Sequence, residues 1–248
     1  MNNIITLAGL DMRYGQKRVI RGLDFELAPG DVTVLLGQNG SGKSTLMRAL
    51  LGVLRSHKGT VRVFGKDPVK HHKEVLRRIG YVPDVPDVYP WMNARDLFRF
   101  LAPHYPTWNK ARCQQLCEQL QVPMKTRFKA MSRGQGMKTM LVASLSSDPD
   151  LLLLDEPFAG LDALVREEVL QGVLMALKEE DREVSVLCAT HELDIAARIA
   201  DRIAVLQDGV VHQHGTLAEV LGEDEPAQVP TGLQQVLATA VRREAVSV

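Results

Sequence analysis

The stretch Gly37-Gln38-Asn39-Gly40-Ser41-Gly42-Lys43-Ser44-Thr45 decides the fold of this chain. It fits the pattern G-x-x-x-x-G-K-[ST], in which glycines allow successive backbone N–H groups to point inward at phosphate oxygens. Residues 32–36 before it are apolar, as in a buried strand, and residues 45–54 after it have the pattern of an apolar helix. The sequence therefore predicts a strand, a phosphate-binding loop and a helix whose positive N-terminal end faces the phosphates.

Two side chains of this loop have chemistry of their own. Lys43 supplies a positive charge to the β- and γ-phosphates, and Ser44 offers a hydroxyl oxygen to Mg²⁺, which prefers hard oxygen ligands. A glycine-rich hairpin with an incidental lysine is the alternative, but it accounts for neither the strand before the loop nor the helix after it. The candidate nucleotide-binding residues are Gly37, Gln38, Asn39, Gly40, Ser41, Gly42, Lys43, Ser44 and Thr45.

Composition and charge narrow the class of partner. The 248 residues carry 30 basic and 30 acidic side chains, and no basic stripe is interleaved with aromatic residues. Nucleic acid is therefore not an expected partner. The three cysteines lack the spacing of paired metal ligands, which fits a reducing compartment, and the sequence has neither a signal-peptide pattern nor an apolar run of about 20 residues. We expect a cytoplasmic chain that does not itself cross a membrane.

Two kinds of β-structure are predicted. Short runs of β-forming residues between turn signals, at 4–8, 19–27 and 61–63, predict an antiparallel edge sheet. From residue 151 onward, strands and helices alternate, which indicates an α/β fold with a mainly parallel sheet covered by helices on both faces. The alternating elements are strand 151–154, helix 164–178, strand 184–189, helix 193–200 and strand 203–206.

A helical pattern separates these parts of the chain. It runs from residue 91 to residue 147, is broken by prolines, and lacks runs of β-branched residues. We expect a helical subdomain at about 86–147, inserted into an α/β domain that spans 1–222. Residues 223–248 are expected to form a linker and a C-terminal helix at 233–243, for which no function is predicted.

Two carboxylates follow the apolar strand 151–154. The phosphate-binding loop alone leaves kinases, GTPases and motor ATPases open, and these carboxylates supply the next part of the site. Asp155, at the end of a buried strand, is placed to hold Mg²⁺, and Glu156 is placed to accept a proton from an attacking water. The sequence therefore predicts a hydrolase, with Asp155 as metal ligand and Glu156 as general base.

With these motifs the chain resembles the ATP-binding subunits of ABC transporters over nearly its whole length. Their signature, read as L-S-G-G-Q, stands here as Met131-Ser132-Arg133-Gly134-Gln135. The loop after the acidic pair reads Ala159-Gly160-Leu161-Asp162, and the switch histidine of the family is His191 in Thr190-His191-Glu192. The resemblance implies the P-loop NTPase fold, with MgATP as the bound and hydrolysed nucleotide.

The resemblance also implies a site that two subunits share by packing head to tail. In that arrangement Ser132, Gly134 and Gln135 contact ATP bound to the opposite subunit. Asp162 then helps carry communication across the interface. Hydrolysis would depend on dimerisation because each subunit holds only half of each site.

Three of the family residues also have an alternative explanation. An isolated histidine is more often an ordinary core or surface residue, but the strand-end position of His191 favours the catalytic role that the resemblance implies. Tyr14 takes the place of the aromatic residue that stacks on adenine, and an exposed turn tyrosine explains it equally well. Ser132 also fits a helix N-cap, a role compatible with contact to ATP.

Two positions depart from the family pattern. Asp84, after Tyr81-Val82-Pro83, stands where the family has a glutamine that touches Mg²⁺ and the attacking water. We include Asp84 with Ser44 and Asp155 among the expected metal ligands; an aspartate that caps a turn is the alternative. Arg133 stands at the third signature position and is expected to be a solvated side chain.

The expected partners follow from the resemblance. They are a second ATP-binding subunit, identical or different, and a polytopic membrane permease, which places the chain in the cytoplasm on the inner face of the cell membrane. Six aromatic residues within 89–108 predict either the core of the helical subdomain or a docking surface for the permease. A bacterial export system is favoured over an importer. The alternatives are a soluble ABC-type ATPase of an assembly complex and a regulatory nucleotide-binding module with little turnover.

Overall fold

The computed structural model describes residues 3–177 and 183–221. Its strands are β1 (Ile5–Tyr14), β2 (Lys17–Leu27), β3 (Val32–Leu36), β4 (Lys58–Val63), β5 (Ile79–Val82), β6 (Leu151–Asp155), β7 (Ser185–Thr190), β8 (Arg202–Gln207) and β9 (Val210–Thr216). Its helices are α1 (Lys43–Leu50), α2 (His72–Leu76), α3 (Ala94–Leu101), α4 (Lys110–Gln119), α5 (Arg133–Ser146), α6 (Ala163–Leu177), α7 (Leu193–Ile199) and α8 (Leu217–Leu221). The described chain divides into two compact units: a first unit of residues 3–72 and 185–221, and a second unit of residues 73–177 with 183–184.

In the first unit, β1 lies between β2 and β4 in a three-stranded antiparallel sheet. Ile5 pairs with Leu27 on one side and with Val63 on the other, and all three side chains are buried. Buried and exposed residues alternate along the second half of β2, as expected when one face of an antiparallel sheet is covered. The predicted antiparallel edge sheet is confirmed, and its strands extend beyond the predicted bounds to the turn at Tyr14-Gly15.

The same unit contains a buried parallel strand. All residues of β3 are buried, and β3 pairs in parallel with β7 on one side and with β8 on the other. Covered strands of this kind read as nearly continuous apolar runs. The register aligns Leu36 of β3 with Thr190 of β7, so the residues that follow these two strands leave the sheet at the same edge.

Strand β9 is not among the predicted strands. It pairs in antiparallel fashion with β8, and Asp208 and Gly209 connect the two strands with φ angles of 46° and 80°. Positive φ at both central residues is typical of a two-residue hairpin turn. The Asp-Gly pair directly after the apolar strand β8 is the sequence signal that identifies this hairpin.

In the second unit, β5 pairs in parallel with β6. Ile79 aligns with Leu151 and Val82 aligns with Leu154, and β6 is buried along its whole length. Helices α3, α4 and α5 lie between these two strands in the sequence, which agrees with the predicted helical pattern. Strand β5 approaches α5 closely, since a Cβ atom at Gly80 would lie 3.0 Å from the carbonyl oxygen of Ser144.

The boundaries of the predicted domains stay predictions. The second unit is longer than the helical subdomain expected at about 86–147, because it also contains β5, β6 and α6. Lys178, the expected end of a helix, lies outside the described residues, and so do the linker and the helix expected within 223–248.

A buried carboxylate stabilises the antiparallel sheet of the first unit. Asp11 Oδ1 accepts hydrogen bonds from Arg18 Nε at 3.0 Å and from the Gly22 N–H at 2.9 Å. The hydrogen-bonded Arg18 guanidinium holds the pKa of Asp11 below its ordinary value. A lowered pKa in the folded state stabilises the fold above the unfolded-state pKa of about 4, and this stabilisation is lost as the pH falls through the folded-state pKa.

We predict that Asp11→Asn lowers the midpoint of thermal unfolding at neutral pH, because a neutral amide binds the Arg18 guanidinium more weakly than a carboxylate does. The deficit relative to the wild type should shrink as the pH falls below about 4. Circular dichroism melts over this pH range measure the deficit, with the exposed Glu26→Gln on β2 as the control. A deficit that does not change with pH would contradict the assignment.

Candidate active site

The predicted phosphate-binding loop connects the end of β3 to the start of α1. The N–H of its first residue, Gly37, donates to the carbonyl oxygen of Thr190 at 3.2 Å, which ties the loop to the end of β7. Gly40 and Gly42 have φ angles of 85° and 112°. These values lie in the region that favours glycine, so the loop turns sharply and enters α1 through Gly42, the N-cap residue.

The space around the loop also requires glycine. A Cβ atom at Gly37 would lie 2.3 Å from the carbonyl oxygen of Leu206, and a Cβ atom at Gly42 would lie 2.7 Å from Ile20 Cδ1. The first of these contacts is with the backbone, so no rotamer change relieves it. Packing within the first unit therefore requires glycine at 37 independently of any bound phosphate.

The start of α1 has the chemistry of an anion site. Its N-cap residue, Gly42, provides no side-chain hydrogen bond, and the first turn of the helix contains no acidic residue. Lys43 Nζ donates to the carbonyl oxygens of Gly37 and Gln38, at 2.5 and 3.1 Å, so the ammonium lies against the loop itself. Ser41 Oγ is buried and has no hydrogen-bond partner among the described residues. Backbone donors, a lysine and the hydroxyls of Ser41 and Ser44 fit a phosphate chain with a hard dication.

Two further predicted residues lie in the same unit as the loop. His191 is exposed and follows β7, whose last residue Thr190 aligns with Leu36, so His191 leaves the sheet at the same edge as the loop. Tyr14 ends β1 and is 44% exposed, and its hydroxyl accepts a hydrogen bond from Arg48 Nη1 at 3.4 Å. This contact brings the phenol oxygen next to α1. The catalytic role of His191 and the adenine contact of Tyr14 stay predictions.

The acidic pair lies in the second unit, at the end of β6. The side chains of Asp155 and Glu156 are buried, with 3% and 7% exposure. Glu156 has a φ of 50°, a region that residues with a side chain rarely adopt, and its carbonyl oxygen accepts from the Ala159 N–H at 3.2 Å. A tight turn therefore begins at Glu156. Buried carboxylates at the carboxyl end of a parallel strand suit the predicted roles of metal ligand and base.

The signature residues shape the start of α5. Ser132 Oγ accepts from the Gln135 N–H at 3.2 Å, and Gln135 Oε1 accepts from the Ser132 N–H at 3.0 Å. The predicted N-cap role of Ser132 is confirmed, in the form of a reciprocal capping box. Gly134 is buried, and a Cβ atom there would lie 2.4 Å from Val165 Cγ1 on α6. Close packing of α5 on α6 therefore requires glycine at 134.

Asp162 has a structural role of its own. Its Oδ1 accepts from the Val165 N–H at 3.0 Å, and its carbonyl oxygen accepts from the Arg166 N–H at 2.9 Å. The side chain thus caps the first turn of α6, a common position for aspartate. Its part in an interface between subunits stays a prediction.

Arg133 is exposed, as expected of a solvated side chain, but its guanidinium also makes specific contacts. Its Nη2 donates to Asp84 Oδ1 at 2.8 Å and to the Asp84 carbonyl oxygen at 3.0 Å, and its Nε donates to the Ala159 carbonyl oxygen at 2.8 Å. The sequence did not predict these contacts, in which three acceptors from two loops bind the guanidinium of an exposed side chain. One carboxylate oxygen of Asp84 is engaged in this contact, and the metal-ligand role of Asp84 stays a prediction.

Comparison with known proteins identifies the family. Residues 20–159 match the family described as "ABC transporter". An aliphatic sulfonates import ATP-binding protein from Corynebacterium glutamicum is 33% identical to this chain, over 88% of this chain and 86% of that protein. The chain belongs to the ABC transporter family.

The predicted resemblance and fold are thereby confirmed. This ABC protein is an ATP-binding subunit that hydrolyses ATP to drive transport by a separate membrane partner. A solved ATP-binding subunit of an ABC transporter has a TM-score of 0.78 and 25% identity, over 88% of this chain and 91% of that one. Within residues 3–177 and 183–221, no helix combines the length and the apolar character needed to cross a bilayer.

The relatives differ in the direction of transport. A Nod factor export ATP-binding protein from Paraburkholderia xenovorans is 30% identical over 94% of this chain and 80% of that protein, whereas the sulfonate relative belongs to an import system. Similarity to this ABC subunit is therefore comparable for an importer and an exporter. The expected export direction stays a prediction.

The contacts of Arg133 are the part of this ABC site that sequence reasoning missed. The available signal was charge: Asp84 and Arg133 are the two departures from the family pattern, and they have opposite signs. Because the two residues are 49 positions apart, neither local propensity nor helical periodicity links them.

We predict that Lys43→Ala weakens ATP binding by about 10- to 100-fold, which corresponds to the loss of ~1.5–3 kcal/mol from a hydrogen bond to a charged group. The ammonium lies against the loop, so it meets the phosphates already in the ground state. Titration calorimetry measures the affinity, and Lys58→Ala, an exposed lysine on β4, is the matched control. Wild-type affinity in Lys43→Ala would exclude the loop as the phosphate site.

Proposed function

We propose that this subunit works in the cytoplasm, bound to the inner face of the cell membrane, and binds MgATP in a head-to-tail dimer that drives a polytopic permease. The observation that carries the proposal is the loop 37–45, which leads into α1 through a glycine N-cap with no capping side chain. Such a helix start binds phosphate through backbone N–H groups and the helix dipole. Membership of the ABC transporter family supports a nucleotide as the molecule that carries this phosphate.

The proposal assigns a role to each charged group of the site. Lys43 binds the β- and γ-phosphates, and oxygens of Ser44 and Asp155 would hold Mg²⁺, for which oxygen ligands of this kind are suited. The third expected ligand, Asp84, already has one carboxylate oxygen in contact with Arg133. When bound, the cation neutralises charge on the phosphates. Glu156 accepts a proton from the water whose oxygen attacks the γ-phosphorus, while the bond from that phosphorus to the β,γ-bridging oxygen breaks and ADP leaves.

Two exposed residues are proposed to act at the periphery of the nucleotide. His191, at the end of β7, serves as the switch histidine that senses the γ-phosphate. Tyr14, with 44% of its surface exposed, has a ring free to stack on adenine. Both side chains are exposed, which supports contact with a ligand rather than a role in core packing.

The dimer is proposed from the start of α5. Ser132 is exposed, caps the helix and leaves its positive N-terminal end at the surface, with no acidic residue in the first turn. A capped, exposed helix start of this kind suits an anion supplied by another subunit. We assign Ser132, Gly134 and Gln135 to ATP bound by the opposite subunit, and Asp162 to communication across the interface.

The docking surface for the permease is proposed on the exposed aromatic residues of the second unit. Tyr89 and Trp91 stack with ring centroids 5.5 Å apart and are 63% and 61% exposed, and Phe100 is 56% exposed. In contrast, Phe98 is buried, and its ring centroid lies 6.2 Å from that of Trp108. Part of the aromatic cluster therefore forms the core of this unit. Exposed aromatic side chains are frequent anchors of protein interfaces.

We predict that Glu156→Gln binds ATP but hydrolyses it about 10²- to 10⁴-fold more slowly, the typical effect of removing a general base. The amide keeps the shape of the buried carboxylate and does not accept the proton. The mutant should therefore accumulate an ATP-bound dimer. Phosphate release and light scattering measure the two effects, with Glu118→Gln, exposed near the end of α4, as the control.

Turnover of Glu156→Gln at the wild-type rate would remove Glu156 as the base. The same assay separates the proposal from a regulatory module with little turnover, because such a module would show slow hydrolysis in the wild type as well. Membrane fractionation of the native complex separates the proposal from a soluble assembly ATPase.

We predict that Ser132→Arg, placed in the Glu156→Gln background, abolishes the ATP-driven dimer and leaves ATP binding by the monomer nearly unchanged. An arginine here collides with a nucleotide held by the opposite subunit. Ser132→Ala is the control, because it removes the helix cap, at a cost of ~1 kcal/mol, without adding bulk. Size-exclusion chromatography with light scattering reports the dimer.

Subunit mixing tests the shared site directly. A mixture of Ser132→Arg and Lys43→Ala subunits, each with Glu156→Gln, can restore one composite site, since one subunit supplies an intact loop and the other an intact signature. Failure of this mixture to form any heterodimer, where the parent variant dimerises, would argue against a head-to-tail arrangement.

A further inference from the structure

The two departures from the family pattern are one interaction in the folded chain. Asp84 follows β5, Arg133 begins α5, and a carboxylate oxygen of the first lies 2.8 Å from Nη2 of the second. The same Nη2 also donates to the Asp84 carbonyl oxygen at 3.0 Å, so Arg133 binds both the side chain and the backbone of this residue.

The third contact of Arg133 extends to another loop. Its Nε donates to the Ala159 carbonyl oxygen at 2.8 Å. The guanidinium also lies close to Gly160, where a Cβ atom would be 3.5 Å from Nε and 3.8 Å from Cζ. The planar fork of arginine directs donors to several acceptors at once, whereas a lysine ammonium acts as a single point charge.

The loop that Arg133 holds is the turn that carries the proposed base. This turn begins at Glu156, whose carbonyl oxygen accepts from the Ala159 N–H at 3.2 Å, and ends at Asp162, which caps α6. Arg133 therefore contacts the middle of the segment between the acidic pair and α6. Through the same guanidinium, this segment is connected to Asp84 and to the signature.

We propose that Arg133 is a positioning residue for hydrolysis: it ties the turn 156–162 and the loop at Asp84 to the start of α5, and Asp84 contributes to turnover by holding Arg133. The inference rests on the proposed function, in which Glu156 is the base. The ion pair is exposed, at 37% for Arg133 and 50% for Asp84, so it contributes little to the free energy of unfolding. Its effect is on the placement of the turn and hence on kcat.

The experiment is a double-mutant cycle of Arg133→Gln and Asp84→Asn in the full chain. Each single variant should lower kcat by about 5- to 20-fold and leave the KM for ATP within about 2-fold. The double variant should be no slower than the slower single variant, which gives a coupling of about 5-fold or more, within the range of residues in direct contact. Thermal unfolding midpoints should change little in all three variants.

Conservative replacement separates positioning from charge alone. Arg133→Lys keeps a cation beside Asp84 but does not reach three acceptors, so its kcat should lie between those of Arg133→Gln and the wild type. Equal rates for Arg133→Lys and Arg133→Gln would show that Arg133 acts mainly through its hydrogen bonds to the backbone carbonyl oxygens of Asp84 and Ala159, not through its charge. A wild-type rate in both variants would overturn the proposal.

The second unit offers a matched control pair. Arg78 Nε lies 2.6 Å from Asp150 Oδ2, and these side chains are 48% and 43% exposed, close to the values for Arg133 and Asp84. Arg78→Gln and Asp150→Asn should change kcat by less than about 2-fold. Losses as large as those at Arg133 would show that exposed ion pairs of this unit act on turnover through general destabilisation, which overturns the positioning role.

Two further results would overturn the proposal. Additive effects of Arg133→Gln and Asp84→Asn on kcat would show that the pair does not act as a unit. A rise in the Mg²⁺ concentration for half-maximal rate on Asp84→Asn, equal in the Arg133 and Arg133→Gln backgrounds, would assign Asp84 to the metal. Failure of the proposed function is a distinct result: Glu156→Gln would then turn over like the wild type, whatever the cycle shows.

Discussion

The site depends on the backbone N–H groups at the start of α1, where the N-cap residue is a glycine without a capping side chain. For these donors to bind phosphate, the chain must turn from the end of a buried strand directly into a helix, and glycine must stand where a Cβ atom would collide with its surroundings. Gly37 satisfies both demands, because it is tied to Thr190 by a hydrogen bond and lies against the carbonyl oxygen of Leu206. The parallel register of β3 and β7 then places His191 at the same edge.

In the second unit, residues of the family motifs also build the local structure. Ser132 caps α5, Gly134 allows α5 to approach Val165, and Asp162 caps α6. Substitutions at these positions change helix ends and packing as well as any contact with a nucleotide. A measured loss of activity therefore assigns a role to such a residue only when a variant that removes the local contact alone is compared with one that blocks the nucleotide.

Local patterns predicted most of the fold and of the motifs. The buried strands β3 and β6, the glycine loop and the cap at Ser132 depend on neighbouring residues in sequence, so periodicity and spacing identify them. Strand β9 was not predicted because its sequence, Val210–Thr216, is largely polar. Only the Asp-Gly turn before it indicates a hairpin. The contacts of Arg133 were not predicted for a different reason. They depend on which loops the tertiary fold brings together, and the pattern of a single sequence does not indicate which distant residues lie close in space.

Charge explains why both departures fit within one family pattern. A lone carboxylate at 84 or a lone guanidinium at 133 adds a full charge near the start of α5, where the helix dipole already provides a partial positive charge. At 2.8 Å the two opposite charges offset each other, so the pair adds no net charge near the start of α5. The pair also has a geometric effect, because it connects the loop at Asp84 to the start of α5. Arg133 then contacts the Ala159 carbonyl oxygen, in the turn that carries the proposed base. The pair therefore changes the contacts between the loops of the site without changing its net charge.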